Sequence, residues 1–300
     1  MSAARDRTGD RSARIGDRPS SSFALLIDGT MIEIREARSE DRDAVERLHA
    51  SLSPESLYSR FFSINLKVAG RVADKICRLA DPGHAALLAL LHGTVIGCAG
   101  YERLAEESAA EIAMVVADYM HHRGVGTLLL EHLGTLARHR GIREFHADTL
   151  ADNHAMLRLL ADAGLPVQRR LVNGVIELRI PLIADERYLE TVGERERRAS
   201  VESLHRLLRP AVVAIVGAGR QEDSVGHAIL RNAATYGFTG TLYAVNPHAS
   251  EVAGVACYPS VAELPKLPDL AVIAVPAAAV VQVAEDCGRR GAGALVVITS

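Results

Sequence analysis

Two short segments of this 300-residue chain combine residue types that can hold phosphate groups. In the first, V-V-A-D-Y-M-H-H-R-G-V-G-T-L-L-L-E-H-L, a glycine-bearing turn separates an apolar strand-like run from a leucine-rich helix-like run. The backbone N–H groups across His121, His122, Arg123, Gly124, Val125, Gly126 and Thr127 then face one concavity at a helix N-terminus, which attracts an anion. Gly124 and Gly126 let the main chain approach oxygen atoms closely, and Arg123 and the Thr127 hydroxyl add donors. From the GxG alone an ordinary helix start reads the same way, so both readings stand at this point. In the second, V-V-A-I-V-G-A-G-R-Q-E-D-S-V-G, the residues Gly217, Gly219, Ser224, Val225 and Gly226 mark the strand, turn and helix that open a nucleotide-binding α/β unit.

Around the first turn lie groups of other chemistry. Glu111, on the run E-I-A-M-V-V, is either a solvent-facing strand carboxylate or a proton acceptor. Asn153 precedes a helix-like stretch and suits an N-cap. His121 and His122 are adjacent on a turn and, with His146, are assigned no catalytic role.

These residues need elements to position them. Residues 31–38 alternate apolar and charged side chains as a half-buried strand does, and Ser39 suits the cap of the helix that follows. Helices are expected near 54–62, with Pro54 in the first turn, and near 66–79. A-L-L-A-L-L-H-G-T-V-I-G-C-A-G-Y-E-R reads as two strands joined at His92-Gly93, and S-A-A-E-I-A-M-V-V as the next strand of an antiparallel meander. After the turn come a helix ending near Gly141, a strand over 145–150, a helix over 153–164 and a hairpin about Asn173-Gly174. Residues 184–203 are charged and nearly free of periodic apolar residues, which predicts a linker, helical in part. Beyond residue 204 four apolar runs, A-V-V-A-I-V-G, T-L-Y-A-V-N-P, L-A-V-I-A-V-P and A-L-V-V-I-T-S, alternate with helical stretches as in a parallel sheet.

Composition narrows the class. At 48% hydrophobic and 24% charged, the chain is globular and long enough for two cores. A net charge of -3 leaves no basic surplus, so nucleic acid is not an expected partner. No apolar stretch is long enough to span a bilayer as a helix, and no membrane partner is expected. Cys77, Cys98, Cys257 and Cys287 are scattered without metal-ligand spacing, which predicts no metal site and fits a reducing cytoplasm. Residues 1–28, rich in Arg, Asp and Ser at their start, read as a disordered leader.

The order of elements over residues 31–182, together with H-H-R-G-V-G and F-H-A-D-T-L-A-D-N-H-A-M-L-R-L-L-A-D-A-G-L, resembles the GNAT acetyltransferase superfamily, whose hallmark is Q/R-x-x-G-x-G/A. His121 departs from the Gln or Arg of that hallmark. The resemblance implies a mixed, mainly antiparallel sheet with helices over residues 29–183, and acetyl-CoA as cosubstrate. It also implies a splayed strand whose backbone at Met114, Val115 and Val116 runs along the pantetheine arm, a pyrophosphate on 121–127, an arm contact from Asn153, and Glu111 as general base. Leu160 stands where many relatives carry a tyrosine that reprotonates the thiolate.

Residues 204–300 resemble the CoA-binding domain of NDP-forming acyl-CoA synthetases, a Rossmann-like parallel α/β unit that stops here directly after a strand and so reads as incomplete. Its turn is G-A-G where the relatives carry G-A-S, with Gly219 in place of serine. This implies a second site for CoA. The fusion, with L-S-P-E-S-L-Y-S-R-F-F before it, is similar to bacterial Pat-type protein lysine acetyltransferases, whose acceptors are proteins with an accessible lysine, acyl-CoA synthetases among them. A GNAT enzyme for a small amine and a noncatalytic CoA sensor are the alternatives left open by the sequence.

Overall fold

The structure, a computed structural model, describes residues 21–61, 68–78 and 83–298. The first sheet holds β1 (Ser22–Leu25), β2 (Met31–Glu36), β3 (His84–Leu91), β4 (Thr94–Arg103), β5 (Ala109–Val116), β6 (Glu144–Leu150), β7 (Gln168–Val172) and β8 (Val175–Pro181). They lie in the order β1-β2-β3-β4-β5-β6-β8-β7. Every pairing is antiparallel except β5 with β6. On its faces pack α1 (Arg42–Ala50), α2 (Pro54–Phe61), α3 (Val68–Ile76), α4 (Val125–His139) and α5 (His154–Asp162). Leu88, Tyr101, Leu129, Leu133 and Phe145 are fully buried between sheet and helices.

The sheet begins earlier than expected. Residues 22–28, read as the end of a leader, are not a tail: β1 pairs with β2 from Ser22 opposite Ile34 to Leu25 opposite Met31. Asp28-Gly29 turns the chain, with the Leu26 N–H donating to the Thr30 carbonyl and the Thr30 N–H to the Asp28 carboxylate. An apolar run, Asp-Gly and an alternating run form a hairpin signal that sequence reasoning passed over. Residues 1–20 lie outside the described residues, as does part of the 66–79 stretch.

The chain 184–203, expected as a linker helical in part, forms most of a 23-residue helix, α6 (Glu186–Leu208), capped where the Asp185 carboxylate accepts the Tyr188 N–H. Tyr188, Val192 and Ala199 sit at i, i+4 and i+11 and pack inward, and the fourth position of that stripe, i+7, is Arg195. Its guanidinium meets the buried carboxylate of Glu131 on α4. An arginine in the apolar stripe hid the helix period from the sequence.

The second sheet comprises β9 (Val212–Val216), β10 (Thr241–Val245), β11 (Glu251–Val252), β12 (Val255–Tyr258), β13 (Leu270–Ile273) and β14 (Ala294–Val297). Its order is β11-β12-β10-β9-β13-β14, parallel but for the short β11–β12 hairpin. That hairpin was not expected, although Ala253 and Gly254 form a two-residue turn, both with positive φ. Two helices accompany the sheet, α7 (Val225–Thr235) and α8 (Ala277–Arg290). The strand order reverses at β9, so the turn after β9 stands at the switch point where such sheets bind ligands.

Ser39 does not cap α1; it lies in a 3-10 turn ahead of it, and Asp41 organises the junction. The Asp41 carboxylate accepts two bonds from the Arg35 guanidinium, both 2.7 Å, and one from the Arg38 N–H at 2.8 Å. Burial pushes this carboxyl up, but the bonds from Arg35 and Arg38 outweigh it and hold its pKa below the ordinary value. A depressed folded pKa gives stability that is present above the unfolded value, near 3.9, and lost as pH falls through the folded value. Asp41→Ala strands the buried Arg35 charge and is expected to cost about 3 kcal/mol or more of unfolding free energy at pH 7, read by urea denaturation. The gap between variant and parent should narrow below pH 4, and a constant gap down to pH 2 contradicts the assignment.

Candidate active site

β5 and β6 share only three register pairs, Ala109 with Glu144, Ala110 with Phe145 and Glu111 with His146. Beyond Glu111 the strands part, which leaves the rest of β5 without a neighbour on that side. N–H and C=O of one strand residue point to the same side, and successive residues alternate. The Val116 carbonyl takes a hydrogen bond from His121 Nε2 at 3.0 Å, away from β4, while the Ala117 N–H donates to Ile96 of β4. Val116 and Met114 therefore present their backbone to the gap. Val115 turns its own toward β4, opposite Cys98, so of the three expected edge residues two offer the backbone.

From this gap a cleft of 1260 Å³ runs past the turn and on between α5 and α6. His121, His122, Gly124, Val125, Gly126 and Thr127 all line it. His122 and Gly124 have φ of 61° and 92°, and left-handed residues among right-handed ones gather successive N–H groups toward one point. Gly124 is the N-cap of α4 and has no side-chain cap, so the first N–H groups of that helix remain available to an anion. A Cβ on Gly126 would stand 2.4 Å from Leu159 Cδ1 and 3.7 Å from Val116 Cγ2. A side chain there would fill the cleft.

Arg123 departs from its expected role as a phosphate donor. Its guanidinium is directed to Asp28 in the β1–β2 turn, to the Thr30 hydroxyl at 3.2 Å and to Met120 Sδ, and it does not line the cleft. It braces the turn from behind, away from the cleft. The ring of His121 is likewise engaged by the Val116 carbonyl. Asn153 serves the capping role, its Oδ1 accepting the Met156 N–H at 3.1 Å, and it also borders the cleft. Leu160 is fully buried in the core and brings no proton donor to the cleft.

Asp118 has a part that no sequence pattern indicated. It accepts the Ser53 N–H at 2.7 Å and the Ser56 hydroxyl at 2.6 Å, which ties the start of α2 to the turn. Burial raises its pKa, but these bonds prevail and hold the carboxyl below its usual range. The α6 wall, with Thr191, Arg195, Arg198 and Ala199, was also missed, because its residues lie 64 or more positions beyond Thr127.

Glu111 is exposed and borders the split without lining the cleft. It belongs to the last pair before β5 and β6 diverge, roughly 10 Å along the strand from Met114. Directly opposed residues share a sheet face, so Glu102, Glu111 and His146 point the same way. Glu102 engages Arg78 at 2.7 Å and His84 at 2.8 Å, and His146 lies 2.6 Å from Glu144. α2 packs against both β5 and β6. Tyr58, Phe61 and Phe62, expected as core or cleft wall, lie outside the side chains described.

In the second domain Gly217 has φ 91° and would place a Cβ 2.2 Å from the Ala274 carbonyl oxygen; Gly226 would place one 2.6 Å from the Gly217 oxygen. Gly217 is fixed by the close approach of the chain leaving β13, and Gly226 by the close approach of α7 to the turn after β9. Gly219 meets nothing nearer than 3.9 Å, so the serine of the resembled family would fit. Ser224 caps α7 by accepting the His227 N–H, and Val225 is the first residue of that helix.

Residues 45–165 match the acetyltransferase (GNAT) family and residues 211–300 match a CoA-binding domain. An acetyltransferase of Pseudomonas aeruginosa is 30% identical over 148 residues, 48% of this chain and 80% of that protein. The chain belongs to the GNAT acetyltransferase family. The crystal structure of the GNAT domain of S. lividans PAT superposes with a TM-score of 0.51 at 29% identity, over 54% of this chain and 96% of that one. The GNAT domain accordingly takes acetyl-CoA, and a CoA-binding domain follows it. That second part is 46% identical over 97 residues to an ADP-forming acetate–CoA ligase of Archaeoglobus fulgidus; the match covers 32% of this chain but only 14% of the ligase. No described helix is long and apolar enough to cross a membrane, and the described residues hold no cluster fit for a metal ion.

Proposed function

We propose that this chain transfers the acetyl group of acetyl-CoA to a lysine side-chain amine of a protein, acyl-CoA synthetases being the acceptor class, with Glu111 as general base. One observation carries the reading: Glu111 occupies the vertex of the β5–β6 split, where an acyl group threaded along Met114 and Val116 arrives. The pyrophosphate rests on the N–H groups of 121–127, and the pantetheine arm follows the open edge of β5. The acceptor comes from the opposite face, beside α2. There Glu102 and Glu144 are held by basic neighbours, and the exposed Glu111 carboxylate is the acid left to meet a lysine ammonium.

The amine gives its proton to Glu111, directly or through a water, and its lone pair adds to the thioester carbonyl. The Met114 N–H, open to the gap, is the donor placed for the oxyanion. As the C–S bond breaks, the tetrahedral nitrogen gives its second proton to solvent and becomes the amide; the thiolate departs without a side-chain acid and solvent protonates it, a free thiol having a pKa near 8.5. The protein acceptor is supported by the likeness to PAT. The second domain serves as a further CoA site, at the turn from Gly217 to Gly226. Four buried cysteines, with no disulfide among them, fit a cytoplasmic protein.

A noncatalytic CoA sensor is the second reading, favoured by the buried Leu160 where relatives place an acid. Mass spectrometry of lysate incubated with acetyl-CoA separates the two. Acetyl-lysine peptides that appear with the parent chain and are depleted with Glu111→Gln support the transferase. Labelling of free amines alone, or of nothing, refutes the protein-acetylating reading.

A further inference from the structure

We infer that α6 completes the acetyl-CoA site, with Arg198 of α6 and Arg158 of α5 taking the 3′-phosphate of the nucleotide end. This rests on the reading that acetyl-CoA occupies the β5–β6 cleft. With the thioester at the Glu111 vertex and the pyrophosphate on the turn, the nucleotide extends past the N-terminus of α4. The part of the cleft that lies in that direction is walled by α5 and α6. A 3′-phosphate carries a charge of about -2 and calls for cations with free N–H donors.

Three arginines border this outer part, Arg158, Arg195 and Arg198. Arg195 is already committed, to the Glu131 carboxylate and to the Asp162 carbonyl at 2.8 Å. Its role is to pin α6 onto α4 and α5. Arg158 is exposed and makes no hydrogen bond or ion pair among the described residues. Arg198 is also exposed and, among the described residues, bonds Glu194 alone, at 2.8 Å. Glu194 is held independently by Arg197 through contacts of 2.9, 3.0 and 3.1 Å. Arg198 can therefore turn to a phosphate without leaving that carboxylate unpaired. The GNAT core supplies Arg158, but Arg198 exists in the site only because α6 folds back along the cleft.

Calorimetry with CoA and 3′-dephospho-CoA tests this on the full chain, with the heat that Gly126→Leu removes taken as that of the cleft. The parent should bind CoA about tenfold or more tightly than the dephospho form, as expected for charge-assisted bonds to one phosphate. In Arg158→Gln/Arg198→Gln the ratio should fall to about twofold or less, with 3′-dephospho-CoA affinity within about twofold of the parent. Both arginines are exposed, so folding is retained, which circular dichroism verifies. A preserved ratio in the double variant overturns the inference while cleft binding stands. If Gly126→Leu removes no heat, the cleft reading falls, and this inference with it.

Discussion

Glu111→Gln is expected to lower acetyl transfer at pH 7 by about 100-fold or more while leaving acetyl-CoA affinity within about twofold. A free lysine, with a pKa near 10.4, is neutral in only about one molecule in a few thousand at pH 7, so transfer is limited by loss of that proton. Glu111 is the carboxylate at the β5–β6 vertex and does not line the cleft. Glutamine keeps its size and removes its basicity. The deficit should shrink as pH rises toward 10 and the amine deprotonates unaided, whereas a structural defect would persist. Initial rates between pH 6.5 and 9.5, with acetyl-CoA binding measured in parallel, decide it; parent-like turnover at pH 7 removes Glu111 from the mechanism.

Gly126→Leu should weaken acetyl-CoA binding by at least about 100-fold, about 2.7 kcal/mol, with only a small change in stability. The nearest obstacle to a new Cβ is the end of the flexible Leu159 side chain at 2.4 Å, which can yield, so the fold survives. The remaining atoms of leucine then occupy the space between the turn and Val116, the path proposed for the pyrophosphate. Gly124→Ala acts differently. At φ 92° any side chain is strained, so the loss there is first in stability, of the order of 1 kcal/mol, read as a lowered thermal midpoint. Parent-like affinity for acetyl-CoA in Gly126→Leu would mean that the turn does not hold the cofactor.

Much of the fold was legible because its signals are local. The Asn173-Gly174 turn, the strands of the meander and the leucine face of α4 each stand in a few consecutive residues. β1 was missed although Asp28-Gly29 marks it, since a polar N-terminal stretch was extended over an apolar run. The α6 stripe was missed for a different reason. Arg195 breaks it in sequence, and only the buried Glu131 on α4, 64 residues earlier, makes an arginine acceptable there.

The candidate site divides the same way. Residue types and spacing placed the glycine turn, the Asn153 cap and the second turn at 217–226, because backbone reach and helix-end chemistry are properties of short segments. Which donors remain available is set by partners far along the chain. Asp28 takes Arg123, 95 residues away.

By itself, the sequence determined that two glycine turns each join a strand to a helix and that an α+β sheet with helices precedes a parallel one. Tertiary structure alone decided that β5 and β6 separate just after Glu111, and that α6 walls the cleft. Local periodicity fixes which face of an element is buried. Only packing between distant elements fixes where two strands part, and which charged groups are spent on each other before a ligand arrives.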